Sequence, residues 1–330
     1  MKISLKITFF FLLSILLNPQ IMHAQEKIKI GLLIPLSGNN SNIGKSILQS
    51  SRLAINKIDN PNIEVLPKDT KNDPVETLNA AKDLKSKGVK IVIGPVFNNN
   101  LLYLDELSEM VFLSLTNKNI KNPKNVISAG INASSQIKTI MKFKKMNNIN
   151  KTIFLIPNNS FKNEIENAIS NSKIKLKHIH IYETNPTKLT QQIEKLTMYN
   201  IRKQNVLDEI KRLENSDEKN KERKIKNLEK RDTLGGINFD SIIVSDFDES
   251  LKSVLTSFLY TDVSPKRVHY ISLNQWFDRS LLKEKSLQPI YFPSINKQNF
   301  DNFIYEYNDV YDEYPNQISF LSYDLMGLVY

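Results

Sequence analysis

From Lys27 onward, short runs of β-branched and aliphatic residues alternate with longer stretches in which apolar positions return every third or fourth residue. A short continuous apolar run predicts a strand buried on both faces, and the longer period predicts a helix with one apolar stripe. The run Ile28 to Ile34 therefore predicts a strand, and Ile43, Ile47, Ala54 and Ile58 mark one face of the helix after it. A second strand is expected at Ile63 to Leu66. Asp73-Pro74-Val75-Glu76 predicts a helix start, because Asp73 accepts backbone N–H groups, Pro74 suits the first helical position and Glu76 reaches back to the cap. Leu78, Ala81 and Leu84 carry that helix's stripe and Gly88 ends it. The strand Val89 to Ile93 runs into Gly94-Pro95, and one helix later Val111 to Leu115 forms the next strand. This β-α-β-α order with buried strands is the signature of a parallel, doubly wound sheet.

After a transition near Ser128 to Asn132 the alternation restarts, with strands expected at Thr152 to Ile156, Lys173 to Ile181, Asp240 to Val244 and Arg267 to Ile271. Two restarts of one architecture imply an α/β protein of two lobes, each with a parallel sheet. The first lobe is expected over 25–130 and the second over 131–288, with 289–330 returning to the first. Residues 202–231 break the rhythm with 11 basic and 7 acidic residues in 30 and a breaker at Asn215-Ser216-Asp217. Val206, Ile210 and Leu213 before the breaker, and Ile225 and Leu228 after it, predict a pair of helices with one narrow apolar edge, inserted in the second lobe. The chain stops at Tyr330 inside the apolar run that begins at Ser319, which reads either as a truncated coding region or as a docked terminal helix.

Composition adds exclusions. The chain's 330 residues, 40% apolar and 9% aromatic, suffice for two cores and exclude wholesale disorder. The net charge of +10 is mixed along the chain, which points to solubility and weak attraction to anionic partners; no nucleic-acid motif stands out. With no Cys there is no disulfide, no thiolate metal site and no N-terminal lipidated Cys. Residues 1–24 carry the parts of a secretory signal in order: Lys2 and Lys6, the uncharged run Ile7 to Leu17, then Asn18-Pro19-Gln20 and a short-residue exit at Ala24. The competing reading, a membrane anchor, needs roughly 20 apolar residues. The expectation is a protein exported to the periplasm, not lipidated and with no transmembrane anchor once the signal is cleaved.

Several motifs suggest chemistry that their spacing does not support. Gly38 to Ser46, after a strand and opening a helix, resembles a phosphate-binding loop, but five residues separate Gly38 from Gly44 where four are needed. Its helix start could still receive a carboxylate or another anion. His178 and His180 share a strand face near Glu183, without a third ligand at fixed spacing. No nucleophile-elbow sequence marks a Ser-His-acid set, and Asp246 with Asp248 reads as helix capping. No enzyme activity and no cofactor are expected.

In an open parallel sheet, ligands bind beyond the carboxyl ends of the strands. The polar and aromatic residues there are Ser37, Asn39, Phe97, Asn98, Ser114, Thr116, Asn117, Phe161, Asp246 and Trp276, and these are the candidate ligand-binding residues. Hydroxyls, amides and rings are the groups a small zwitterion would use, and they are equally the groups that turns and caps use.

The stretches IKIGLLIPLSG, RLAINKI and PKDTKNDPVETLNAAKDLKSKGVKIVIGPV resemble the first lobe of the type I periplasmic binding proteins of branched-chain amino acid transport. That resemblance implies two Rossmann-like lobes joined by three crossings, with ligand in the cleft. The stretch from LTMYNIRKQN through FDSIIVSD, followed by SPKRVHYISLNQWFD, is similar to the penicillin-binding protein activators, which add a charged helical insertion and stimulate a peptidoglycan synthase. Where amino acid receptors carry a Ser after the Gly-Pro turn and a Tyr-Gly in the second lobe, this chain has Phe97-Asn98 and Ser160-Phe161. The resemblance implies a non-catalytic regulator of cell-wall synthesis whose partner is a peptidoglycan synthase. The alternative is a receptor delivering an amino acid or amide to an ABC permease.

Overall fold

The computed structural model describes residues 27–118, 122–172, 178–276 and 279–330. The expected signal and the first part of the strand expected from Lys173 lie outside them.

The first sheet takes β1 (Ile28–Ile34), β2 (Ile63–Asp69), β3 (Ile91–Ile93), β4 (Val111–Ser114) and β5 (Val126–Ser128), all parallel, in the order β2-β1-β3-β4-β5. Helices α1 (Ser41–Ile58) and α2 (Pro74–Ser86) follow β1 and β2. Successive side chains of a strand point to opposite faces, so Leu33 packs with Leu78, Ala81, Leu84 and Val92, while Leu32 and Ile34 pack with Ile47 and Ala54 on the other side. Between β3 and β4 the chain makes two 3-10 turns, Asn98–Leu101 and Leu104–Leu107, in place of the expected helix. Leu101, Leu104 and Leu107 still bury their side chains against the sheet, which is why the apolar spacing resembled a helix.

The second sheet holds β6 (Thr152–Pro157), β7 (Ile179–Tyr182), β8 (Ser241–Val244), β9 (His269–Ser272) and β10 (Ile290–Tyr291), again all parallel, in the order β10-β9-β8-β6-β7. Helices α3 (Ala133–Met146), α4 (Lys162–Asn171), α5 (Pro186–Leu196), α6 (Tyr199–Glu214), α7 (Lys221–Leu228), α8 (Asp248–Tyr260) and α9 (Arg279–Lys283) belong to this half of the chain. Phe154, Ile156, Ile243 and Ile271 face α3 and α4, and Leu155, Ile242 and Val244 face α5 and α8.

The sheet takes in Tyr291 before the chain crosses back. Helices α10 (Lys297–Tyr311) and α11 (Ser319–Val329) then pack on α1 through Leu53, Phe300, Phe303, Tyr307 and Phe320. Hydroxyls line this seam: Ser46 with Ser319 at 3.2 Å, Ser51 with Ser322 at 3.2 Å, and the Tyr307 hydroxyl donating to Gln49 Oε1 at 2.7 Å.

Two local expectations change. Asp73 accepts from the N–H groups of Val75 and Glu76 as expected, at 2.8 and 2.9 Å, but Glu76 pairs with Lys71 at 3.0 Å instead of closing the capping box. The charged insertion forms the expected helix pair, α6 and α7, yet its first residue is core. Arg202 is only 2% exposed, its guanidinium donating to the carbonyls of Thr197, Thr261 and Asp262 and to Thr233 Oγ1. Val206 and Leu213 of the same helix are also buried, while Lys203, Arg223, Lys226, Lys230 and Arg231 are exposed. Burying a guanidinium is costly unless its donors are paired, and here both terminal nitrogens are paired while Nε is buried without a partner. Replacing Arg202 with Ala leaves those carbonyls unpaired and is expected to lower unfolding free energy by about 3 kcal/mol or more in urea titrations. A variant of unchanged stability would show that the insertion is not seated through this residue.

Candidate functional site

The loops at the strand ends border two recesses that share Trp276. One, of about 450 Å³, is walled by Phe97, Asn98, Thr116 and Asn117 from the first sheet's loops and by Gln317 and Leu321 beyond α10, with Trp276 crossing from the second sheet. The other, of about 1200 Å³, lies between Phe247 and Asn274–Trp276 on one side and α10 with Tyr314 on the other.

Trp276 sits at this junction because its loop is tied on every side. Its φ of 47° is left-handed, uncommon for a bulky residue. The turn is held by its N–H donating to Asn274 Oδ1 at 2.9 Å, by Gln275 Nε2 donating to Leu273 O at 2.9 Å, and by Asn274 N donating to Gln136 Oε1 at 2.7 Å. On the first-lobe side, Gly130 lies so close to Thr116 that an added Cβ would stand 2.3 Å from the Thr116 carbonyl oxygen. Only glycine lets the chain leaving β5 pass there.

The candidate residues divide. Phe97, Asn98, Thr116, Asn117 and Trp276 come together around the smaller recess. Ser114 does not reach it: its hydroxyl is fully buried and donates to Pro95 O at 2.8 Å, fastening the β3 loop to β4. Ser37 and Asn39 are exposed and stand on neither recess wall. Ser37 instead serves Asp69. Burial works to raise that carboxyl, but hydrogen bonds from the Ser37 hydroxyl and from the N–H groups of Lys71, Leu36 and Ser37 hold it below the usual carboxylate range. Phe161 is 44% exposed and meets Phe247 edge-on at 6.2 Å, outside both recesses.

Asp246 is 5% exposed and also outside both walls. It accepts from the Tyr182 hydroxyl at 2.5 Å and from Phe247 N at 2.9 Å. Burial raises its pKa, an effect the Tyr182 hydrogen bond opposes in part, and burial also pushes the Tyr182 hydroxyl upward. Both groups serve each other and the turn into α8.

The other motifs resolve structurally. Gly44 packs on the Pro35 carbonyl, where a Cβ would stand 1.8 Å from the oxygen, and Lys45 pairs with Glu313 at 2.7 Å, so the loop resembling a phosphate site turns its lysine to a carboxylate on the loop after α10. His178 precedes β7 and is exposed, whereas His180 is half-buried; Glu183 accepts from Asn158 Nδ2 at 2.8 Å. Among the described residues no three metal-ligating side chains converge.

Two parallel five-stranded sheets, joined by crossings and flanking a recess lined by strand-end loops, define a two-lobed binding-protein scaffold. Residues 27–192 match the family described as periplasmic binding protein, and the chain belongs to that family. It is similar to a putative branched-chain amino acid ABC transporter protein from Rhodospirillum rubrum, with TM-score 0.65 and 12% identity over 92% of this chain and 82% of that one. It is also similar to the C-domain of LpoA from Haemophilus influenzae, described as a regulator of PBP1A, with TM-score 0.59 and 14% identity over 91% and 85%. A branched-chain amino acid ABC transporter ligand-binding protein from Burkholderia xenovorans gives TM-score 0.59 and 10% identity over 91% and 76%. These are solved structures with the type I periplasmic binding protein fold. No curated protein sequence matches the chain. Among the described residues no helix is long and apolar enough to cross a membrane.

The raised Asp246 carboxyl gives a pH test. A folded-state pKa above the unfolded one means that the native state holds the proton more tightly, so this contribution is complete below the unfolded value, about 3.9, and is lost as pH rises through the folded value. Asp246→Asn keeps an acceptor for Tyr182 and removes the buried charge. Its melting temperature relative to wild type is expected to climb as pH increases from 3 to 7, and a flat difference would show that Asp246 titrates like an exposed acid.

Proposed function

We propose that the protein is an exported, non-catalytic regulator of cell-wall synthesis, of the penicillin-binding protein activator type, which docks a peptidoglycan synthase through α6 and α7. The supporting observation is the helix pair itself: a buried arginine seats it on the second lobe, and Lys203, Arg223, Lys226 and Lys230 face solvent along it. A seated helix pair with a net basic surface suits an acidic patch on a partner, and exposed charges act within the screening length of about 8 Å at physiological salt. The similarity to LpoA, a regulator of PBP1A, agrees with this role. The N-terminal lysines and apolar run agree with export.

A second reading, a solute receptor of an ABC transporter, is favoured by the recess around Thr116, which presents a hydroxyl and amides. Its polar wall is poor in the charges that bind a zwitterion: among the described residues Lys118 is the only charged side chain there, and Asp246 is committed to Tyr182.

Because Val206 and Leu213 are buried, excising the insertion would strip core residues, and reversing exposed charges is the cleaner test. Arg223→Glu, Lys226→Glu and Lys230→Glu together are expected to change stability little, since exposed substitutions are usually within about 0.5 kcal/mol each. They are expected to abolish stimulation of a purified peptidoglycan synthase at physiological salt. Full stimulation by this variant would exclude the helix pair as the docking surface.

A further inference from the structure

The larger recess, about 1200 Å³, exceeds the roughly 300–1,000 Å³ of ordinary small-ligand pockets and far exceeds what a free amino acid fills. Trp276, Phe300, Tyr305 and Tyr314 supply aromatic rings along it. Tyr305 and Tyr314 are each 74% exposed, so they add little to the core. Trp276 and Phe300 meet at 6.4 Å with rings tilted by 51°.

Between the rings stand the amides of Asn274, Gln275, Asn308 and Gln317. An amide carries both donor and acceptor atoms, as a sugar hydroxyl does; the nitrogens of Gln275, Asn308 and Gln317 already donate to the carbonyls of Leu273, Glu313 and Trp276, so these three bring chiefly acceptors, while the flat ring faces suit the apolar C–H faces of pyranoses. Among the described residues charge is nearly balanced, because Lys297 and Asp301 on the wall pair with each other, leaving Asp248 as the further charged side chain there. Among the described residues that wall offers no cationic cluster for a phosphate. Asn274 gives an independent sign of an absent partner: the residue is 3% exposed, its Oδ1 is held by Trp276 N–H, and its Nδ2 has no hydrogen-bond partner. A buried amide donor left unpaired costs about 1–3 kcal/mol.

We propose that this recess is a saccharide site that takes a neutral glycan chain several sugars long. The assignment to cell-wall glycan rests on the regulator reading above; the saccharide chemistry itself does not.

Trp276 is the chain's single tryptophan and lies on the recess wall, so its emission reports occupancy directly. Titrating chitotetraose into the full chain is expected to give a saturable change in that emission. Tyr305→Ala and Tyr314→Ala, both at exposed rings, are expected to keep the melting temperature and weaken binding about two- to ten-fold each, the effect of losing one ring contact. Thr116→Val, on the smaller recess, is expected to leave the titration unchanged. No saturable change, affinity untouched by both tyrosine variants, or a leucine-induced change that competes with chitotetraose would each overturn the saccharide site.

Sedimentation with purified peptidoglycan sacculi distinguishes the source of the sugar. Pelleting that chitotetraose reverses supports the wall glycan, and a normal chitotetraose titration without pelleting overturns that source in favour of free saccharides. The charge-reversed helix-pair variant separates the two proposals. Normal chitotetraose binding with lost synthase stimulation confirms that docking and sugar binding are separate sites, and loss of both in a folded variant contradicts the placement of the sugar in this recess.

Discussion

The polar side chains at the strand ends must first close the loops that carry them, and this requirement decides what remains for a ligand. A loop packed over a parallel sheet carries backbone donors and acceptors that cannot be left unpaired. Ser114 meets that need at Pro95, Asp69 at the turn after β1, Asp246 at the turn into α8, and Asn274 at Trp276. Each is a residue type that would also suit a ligand. After these demands are met, the smaller recess keeps Thr116, Asn117, Asn98 and rings, which is a modest polar surface with no acid for an ammonium group among the described residues.

The same requirement explains what could be read from the sequence. Strand runs and helix stripes repeat over several residues, so β1, α1, α2, β6 and β8 stand close to their expected limits. The helix pair was legible for the same reason, since Val206, Ile210 and Leu213 repeat at helical spacing against a charged background. Arg202 was not legible, because its neighbours in sequence are charged and its partners lie at Thr233, Thr261 and Asp262. Glu76 was misassigned within its own turn: Lys71 competes for the carboxylate.

Site residues were harder to read than elements. Polar residues after strands mark one end of each sheet, and five of the ten candidates meet around one recess there. Which hydroxyl or carboxylate turns inward depends on single hydrogen bonds, and no periodicity encodes them. The larger recess escaped sequence reasoning because its wall joins Phe247, Trp276, Phe300, Tyr305 and Tyr314 from separate elements. The available signal was the density of aromatic residues from Phe300 to Tyr314, more than one buried helix stripe uses, two of them left exposed.

The two-lobed scaffold thus carries its distinguishing features outside the first-lobe loops: a basic helix pair on one lobe and an aromatic recess against the returning helices. The central claim is that most polar groups at the strand ends are committed to the fold, which on the regulator reading proposed above leaves no amino acid site. Titration calorimetry of the full chain with leucine, alanine, glutamine and their amides at millimolar concentration tests it most directly. The account predicts no saturable heat with any of them. A saturable isotherm with one amino acid, lost in Thr116→Val, would contradict it and make the protein a solute receptor.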